Sequence, residues 1–503
     1  MTEVNLTGET LTIEQLVRVA RHGSRVALSN DAHARVTASS AALDAHVRAG
    51  RPIYGLTTGV GALDGAVVSA EDNRRYQRNL LRSHAAGVGA SMLDDQVRAM
   101  MAARANTLAR GMSGVRVETL LALLAMLNRG VTPIVPEGGS VGASDLAPLA
   151  HMALVMVGEG RATFKGDALP GSEALSRAKI EPPTLTGRDG LALINGLAQT
   201  TGIGALSVHD ARRLAGAAEV AAAMSIAALQ VPIDFLDDRL AAARPHAGSV
   251  ESARRLRDLV GTSRGGQPAL RAPLSARYSP SILGACRDAV ASCDRVLGVE
   301  LNAAVDNPLL FEDDWLTSNS GTTSGQCVGE ALDMLATSLI SVAVAAERRV
   351  NRLVGQRGDD GAPAFLVPPG VASGLHSGLM VAQYTAASLV AELRVRSVPA
   401  SIQSIPTCAD SEDHVSMSAL AARRLAWAVS TAETVVAIEL LAAAQAVDVW
   451  SVAPTAALRT FHRQIREGVP VLVADRVLSD SIQAVVALLR TGTFDAADAH
   501  ASG

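Results

Sequence analysis

Gly138-Gly139-Ser140-Val141-Gly142-Ala143-Ser144-Asp145-Leu146 is the stretch on which the reading of this 503-residue chain turns. Ala-Ser-Asp framed by flexible neighbours can cyclise on itself. The amide nitrogen of Asp145 attacks the carbonyl carbon of Ala143, and two waters leave. The product is a five-membered imidazolone with an exocyclic methylene drawn from Ser144, a carbon electrophile that none of the twenty side chains supplies. Bringing nitrogen and carbonyl carbon into contact requires unusual backbone dihedrals, which Gly138, Gly139 and Gly142 allow. Orientation of this kind can supply several kcal/mol of such a barrier.

Ala-Ser-Asp alone arises by chance, so the surrounding sequence decides. Tyr54-Gly55-Leu56-Thr57-Thr58-Gly59 and Ser83-His84-Ala85-Ala86-Gly87 precede it, and Asn195-Gly196 and Glu412-Asp413-His414-Val415-Ser416-Met417 follow. The ordered set resembles the histidine and aromatic amino acid ammonia-lyases and the related aminomutases, closest to the histidine branch. The resemblance runs from about Leu11 to past Arg424.

It implies a mainly α fold of aspartase/fumarase-like architecture, with an N-terminal electrophile-bearing region and a long central helical bundle. On this reading residues 1–200 carry the electrophile, 201–455 form the bundle and 456–503 a C-terminal helical segment. The resemblance further implies a homotetramer whose active sites each draw on three subunits. The electrophile would be 4-methylideneimidazole-5-one (MIO), built from Ala143, Ser144 and Asp145, with no external cofactor.

The reaction class is loss of ammonia from an α-amino acid. Ammonia leaves poorly, and the β proton is not acidic. Covalent attachment to an electrophile divides the difficulty into easier steps, and a general base must then take the proton. Tyr54 is the expected base; a phenol titrates near pH 10 and would need help from positive charge or helix N-termini. Its other reading is a Tyr that packs in a Gly-rich turn. Arg277, in Ser275-Ala276-Arg277, matches the family's carboxylate clamp, for which a planar guanidinium is suited; otherwise it is a solvated loop arginine. Asn195 would hold the electrophile's carbonyl and the substrate, though Asn-Gly is also an ordinary turn. His84 matches a position at the side-chain end of the substrate, or is structural. Glu412 would lie near the imidazole or amino group, or else be an ion-paired acid at a helix start.

Two departures from the family bear on substrate. Leu274 stands where the family has a second active-site tyrosine, and Arg271 where it often has glutamine. Gly321-Thr322-Thr323-Ser324-Gly325 replaces a Gly-Asn-Phe-His element, so Thr323 stands in place of an aromatic wall; His376 stands where Asn is common. Three outcomes follow: an ammonia-lyase whose substrate is not histidine, phenylalanine or tyrosine, a 2,3-aminomutase giving a β-amino acid, or a non-catalytic paralogue.

Composition narrows the classes. Hydrophobic residues are 48% of the chain and aromatics 3%, which suits long helices packed closely through Ala. Mean hydropathy is +0.22, but the apolar runs Met334–Ala346 and Thr434–Trp450 are bounded or interrupted by charge, so both read as bundle helices rather than spans. Net charge is −4 with mixed signs, leaving no basic stripe for nucleic acid. Cys286, Cys293, Cys327 and Cys408 form no zinc spacing and read as reduced and buried. No metal is expected. Thr12-Ile13-Glu14-Gln15 is a capping box with no signal-peptide features around it, so a cytoplasmic enzyme is expected; the resemblance implies an amino acid as its small-molecule substrate.

Periodicity predicts helices over Asp95–Arg129, Ala205–Leu229, Ala285–Ala303, Gly325–Val354, Ser377–Val398 and Ser416–Val447. A strand is expected near Gly160–Phe164. Loops are expected over Thr132–Val141, Glu181–Asp189, Gly261–Ser281 and Gly361–Gly374.

Overall fold

The structure is a computed structural model that describes residues 3–261, 272–311, 316–355, 364–368 and 374–495. It is mainly α, as expected. Its contacts divide it into two compact units, each discontinuous in sequence. Unit 1 comprises Met1–His209, Cys293–Asp333 and Pro399–Ala426; unit 2 comprises Asp210–Ser292, Met334–Val398 and Trp427–Gly503.

Unit 1 carries the Ala-Ser-Asp loop. Its first helix, Ile13–His22, is opened by the predicted capping box: Thr12 Oγ1 accepts from the Gln15 N–H (3.1 Å) and Gln15 Oε1 from the Thr12 N–H (2.9 Å). The helix predicted over Asp95–Arg129 is two, Asp94–Ala109 and Val117–Arg129. The break falls at Gly111 and Gly114, with φ of +75° and +66°. A Cβ at Gly111 would lie 2.7 Å from the Arg35 side chain, so the chain turns where only glycine fits.

The predicted loop Thr132–Val141 contains two short strands. Val131–Pro133 joins an antiparallel sheet with Arg161–Phe164, the expected strand, and with Asp167–Pro170. Pro136–Gly138 pairs antiparallel with Val88–Ser91. These strands anchor the backbone just before the loop. The helix Leu146–Met156 anchors it just after, with Leu149, Ala150, Met152, Ala153, Val155 and Met156 wholly buried. Ala143-Ser144-Asp145 thus lies in a short loop between two fixed ends.

Unit 2 is built from long helices: most of Ala198–Ala228, Ser279–Glu300, Gln326–Val354 and Ser418–Val449, with Met380–Val395, Ala456–Gly468 and Leu478–Arg490. Small side chains fill its core, with Ala221, Ala222, Ala223, Ala437, Ala443 and Ala444 fully buried. Two carboxylates are sealed within it. Glu219 pairs with Arg287 (2.6 Å) and Arg255 (2.8 Å). Glu439 pairs with Arg349 (2.5 Å) and accepts the Ser225 hydroxyl (2.6 Å).

Three helical stretches, Asp189–Ala228, Gln326–Val354 and Ser418–Val449, are long and apolar enough to cross a membrane, with their apolar windows 100%, 56% and 78% buried in protein. They carry the paired charges Glu219, Arg349 and Glu439 inward, as bundle helices do. In the predicted loop Gly261–Ser281, residues 262–271 lie outside the described segment, as does most of Gly361–Gly374. Leu274–Arg277 is a short helix, and Ser279–Glu300 begins earlier than predicted because Pro280 is tolerated in a first turn.

All four cysteines are free thiols. Cys286 and Cys293 are buried as expected, but Cys327 and Cys408 are exposed. Cys408 lies in a surface turn of positive-φ residues, Cys408-Ala409-Asp410, which gives its side chain no core to enter.

Candidate active site

Ser144 is 2% exposed and Asp145 wholly buried, although both lie in a loop. Ser144 has φ +63°, a left-handed conformation that costs a non-glycine residue energy and is held only by its surroundings. Those surroundings are specific. The Ser144 N–H donates to the Thr323 carbonyl (3.0 Å) and the Asp145 N–H to the Gly196 carbonyl (2.7 Å). The Ser144 hydroxyl donates to Asn195 Oδ1 (2.6 Å). The Asp145 carboxylate accepts from the Ser140 hydroxyl (2.6 Å), the Thr200 N–H (2.8 Å) and the Thr200 hydroxyl (3.2 Å). Burial nonetheless raises its pKa above the ordinary value.

The Ser416-Met417-Ser418 segment braces the loop from behind. The Ser416 hydroxyl donates to the Gly142 carbonyl (2.8 Å) and the Met417 N–H to the Val141 carbonyl (2.7 Å). Gly142 has φ +78°, and a Cβ there would sit 2.3 Å from Ser416 Oγ. Glycine is therefore required on two counts: by backbone conformation and by the close approach.

Asn195 presents its carbonyl to Ser144. Its amide nitrogen, the group needed to hold a carbonyl, instead donates to Asp306 Oδ1 (3.0 Å) and to the Asn307 carbonyl (2.8 Å). Asp306 is in turn forked by Arg188 (2.9 and 2.5 Å) and lies 3.5 Å from Arg104. All three charged side chains are fully buried.

Tyr54, His84 and Glu412 come together in the same unit. The Tyr54 hydroxyl oxygen accepts the Gly61 N–H (2.7 Å). Burial pushes its pKa up, aided by Cys408 and Glu412, while Gly61 and Arg188 pull it down; the net direction is up. The expected help from positive charge is therefore outweighed. His84 is half-buried, and its Nδ1 lies 2.8 Å from the Leu80 carbonyl. A carbonyl only accepts, so Nδ1 carries the proton and Nε2 is left as an acceptor. Burial lowers the His84 pKa, against the pull of the Leu80 carbonyl and Glu412, which favours that neutral form. Glu412 is in a bridged turn with Thr407, whose hydroxyl donates to it (2.8 Å). It is not a helix-start acid, since the next helix begins at Ser418.

Thr323 meets the loop through its main chain, by the Ser144 N–H bond already given. Arg277 and Leu274 belong to unit 2. The Arg277 guanidinium stacks on the Tyr278 ring at 5.3 Å, and its buried Nε has no hydrogen-bond partner among the described residues. Leu274 is half exposed. His376, also in unit 2, accepts the Asp475 N–H at Nδ1 (3.2 Å). Arg271 lies outside the described residues.

Sequence reading missed Arg188, Arg104, Thr200 and Ser418, and gave no role in the site to Asp306 or to Ser140 and Ser416 of the quoted motifs. The signal for Asp306 was available in Asp306-Asn307-Pro308, a polar run between helical segments. Nothing in local sequence marks Arg104, an arginine in the middle of the apolar helix Asp94–Ala109.

Comparison with known proteins bears on the whole chain. The family model for aromatic amino acid lyase matches residues 11–467. The histidine ammonia-lyase of Caldanaerobacter subterraneus subsp. tengcongensis is 44% identical over 501 residues, 98% of each chain. In structure, the histidine ammonia-lyase of Trypanosoma cruzi superposes with a TM-score of 0.91 at 37% identity, covering 98% of this chain and 94% of that one. The tyrosine aminomutase of Streptomyces globisporus superposes with the same score at 36% identity, covering 98% of both.

Proposed function

This chain belongs to the aromatic amino acid lyase family, and from that premise we propose that it eliminates ammonia from an L-α-amino acid to give an α,β-unsaturated acid. It is a carbon–nitrogen lyase of the histidine ammonia-lyase type, and MIO is a feature of its family. The observation that carries the finer reading is the strained, sealed Ser144 between two fixed ends, each of its polar hydrogens held by an acceptor. The residues present fit the group: Ala143, Ser144 and Asp145 would form it, and Asn195, Gly196 and Thr323 would surround it. When formed, the ring supplies an electrophilic carbon that turns the substrate amine into a better leaving group.

The chain's own residues do the rest. Tyr54 takes the β proton. Positive charge brought by the substrate ammonium would oppose the burial that raises its pKa. His84, neutral and accepting at Nε2, and Glu412, accepting at its carboxylate, favour a substrate whose side chain offers N–H or O–H donors. Arg277 takes the substrate carboxylate in its planar fork. Thr323 in place of an aromatic suits a smaller or more polar side chain better than a bare phenyl ring, and Leu274 in place of tyrosine withdraws a hydroxyl that could bind or move a proton. Assembly as a cytoplasmic homotetramer with shared sites completes the reading; exposed Val381, Tyr384 and Val395 on one helix support an interface.

A second reading is a 2,3-aminomutase, favoured by the close superposition on tyrosine aminomutase. Product analysis separates them: free ammonia with an unsaturated acid for the lyase, a β-amino acid for the mutase. The test of both is the intact mass, about 36 Da below the encoded chain once two waters are lost. A mass equal to the encoded chain overturns both. Ser144→Ala should abolish the mass loss and all turnover on a panel of histidine, tyrosine, phenylalanine and polar amino acids.

A further inference from the structure

Three hydrogens bound to nitrogen or oxygen must move when Ala143–Asp145 closes, and each is already engaged. Ring closure forms a bond from Asp145 N to the Ala143 carbonyl carbon, and the Asp145 N–H proton passes to the Ala143 oxygen. The first water takes that oxygen with its proton and the Ser144 N–H hydrogen, leaving a C=N bond. The second takes the Ser144 hydroxyl and the Ser144 Cα hydrogen, leaving the exocyclic C=C bond. In the open chain the Asp145 N–H is held by the Gly196 carbonyl, the Ser144 N–H by the Thr323 carbonyl and the Ser144 O–H by Asn195 Oδ1.

Two of these acceptors are main-chain carbonyls and have one polarity only. The third is a side-chain amide that could face either way. Its sense is set behind it. Asn195 Nδ2 meets two atoms that accept, Asp306 Oδ1 at 3.0 Å and the Asn307 carbonyl at 2.8 Å. Turning the amide over would set three oxygens against one another in a buried site, where an unsatisfied group costs about 1–3 kcal/mol. Asp306 cannot turn aside to relieve this. Arg188 grips both its oxygens, Arg104 lies alongside, and its Oδ1 also accepts the Asn307 N–H (2.7 Å).

We propose that Asp306, clamped by Arg188 and Arg104, is a positioning residue for electrophile formation: it fixes the Asn195 amide so that the carbonyl oxygen, not the NH2 group, holds the Ser144 hydroxyl. This pins the Ser144 side chain in one rotamer. The lone pairs of Oγ remain free to take the proton with which it departs as water. The proposal rests on the reading of Ala143–Asp145 as a ring precursor and adds how the precursor is held before it closes.

The test is the mass of the peptide bearing residues 143–145, followed over time in purified full-length protein. The wild-type chain must first show the loss of two waters; if it does not, the ring reading itself fails, whatever Asp306 does. Asp306→Asn removes the anionic one of the two acceptors that force that polarity, and ring formation should slow roughly tenfold or more in protein that retains wild-type far-UV circular dichroism. The exchange variant Asn195→Asp/Asp306→Asn restores an acceptor toward Ser144 and keeps a negative charge near the arginines; it should recover most of the two-water loss. Such rescue is not expected of a residue that only stabilises the fold. Asp306→Asn protein that cyclises at the wild-type rate overturns the proposal. So does an exchange variant that keeps the wild-type circular dichroism and stays uncyclised.

Discussion

Tyr54 sets the pH dependence that a single residue can reveal. Burial raises its pKa, so at neutral pH the phenol keeps its proton and the fraction able to act as base grows tenfold per pH unit. The turnover number should therefore climb through the alkaline range. Tyr54→Phe should remove that limb and lower turnover by about 10²–10⁴-fold while leaving the two-water mass loss intact; an unchanged alkaline limb would move the base elsewhere. His84 acts at the other end. Its pKa is lowered, so the neutral acceptor survives to more acidic pH than for a free imidazole, and protonation on further acidification should raise KM before it lowers kcat. Glu300 is a different case. Burial, with some repulsion from Asp145, raises its pKa to about 7, and its Oε1 is sealed without a hydrogen-bond partner among the described residues. A carboxyl raised in the fold contributes stability that is complete below its unfolded pKa and is lost as pH rises through the folded value. Glu300→Gln should thus leave the melting temperature unchanged at pH 4 and raise stability at pH 8.5, by on the order of 1–2 kcal/mol.

Elements were the most legible part of the chain, and the reasons differ by element. Thr12 and Gln15 declared a helix start because both halves of the cap are local. The long helices were visible from periodicity and their Ala content, but their ends moved wherever a distant contact decided. Gly111 turns left-handed, at φ +75°, in a spot where Arg35 leaves no room for a side chain, and no window around Gly111 contains Arg35. The same limit hid the site's supports: the Ser144 loop was readable as chemistry, while Asp306, Arg188 and Thr200 become part of it only through folding. The buried Arg349–Glu439 pair belongs to this class too. It joins the helices Gln326–Val354 and Ser418–Val449, takes in Ser225, and carries the Ser275 carbonyl on the same guanidinium (2.9 Å). Glu439→Ala strands a buried cation and should cost about 3–5 kcal/mol in denaturant unfolding. The apolar exchange Arg349→Met/Glu439→Leu should return most of that stability. It releases Ser275, however, and Arg277 is two residues on. If Arg277 binds the substrate carboxylate, this exchange should raise KM for the amino acid with little change in kcat; an unchanged KM would separate the bundle's ion pair from substrate binding.

Assembly decides whether one chain makes a complete site. Tyr54, His84, Asn195 and Glu412 belong with Ser144 to unit 1, and Asn195 touches it, whereas Arg277 belongs to unit 2. The helix Met380–Val395 in unit 2 turns Val381, Tyr384 and Val395 to solvent, 54%, 56% and 81% exposed, apolar surface of the kind that closed homo-oligomers bury. If four chains assemble through such surface and Arg277 reaches the Ser144 of a neighbour, two inactive variants should complement each other. Ser144→Ala supplies a sound Arg277 and Arg277→Ala a sound Ser144. Neither homotetramer turns over substrate at the wild-type rate. In randomly mixed tetramers each site draws a sound Ser144 with probability one half and a sound Arg277 from another chain with the same probability, so about a quarter of the sites should work. Co-expressed with different tags and purified for both, the hybrids should recover close to that fraction of kcat, with light scattering giving the mass of four chains. If instead each chain builds its own site, no chain in the mixture holds both residues, and activity stays at the level of the parents. The outcome also fixes the role of the exposed helix. A Tyr384→Arg substitution that splits the assembly should silence the enzyme although residue 384 takes no part in the chemistry, because the dissociated chain would hold an electrophile and no clamp for the carboxylate.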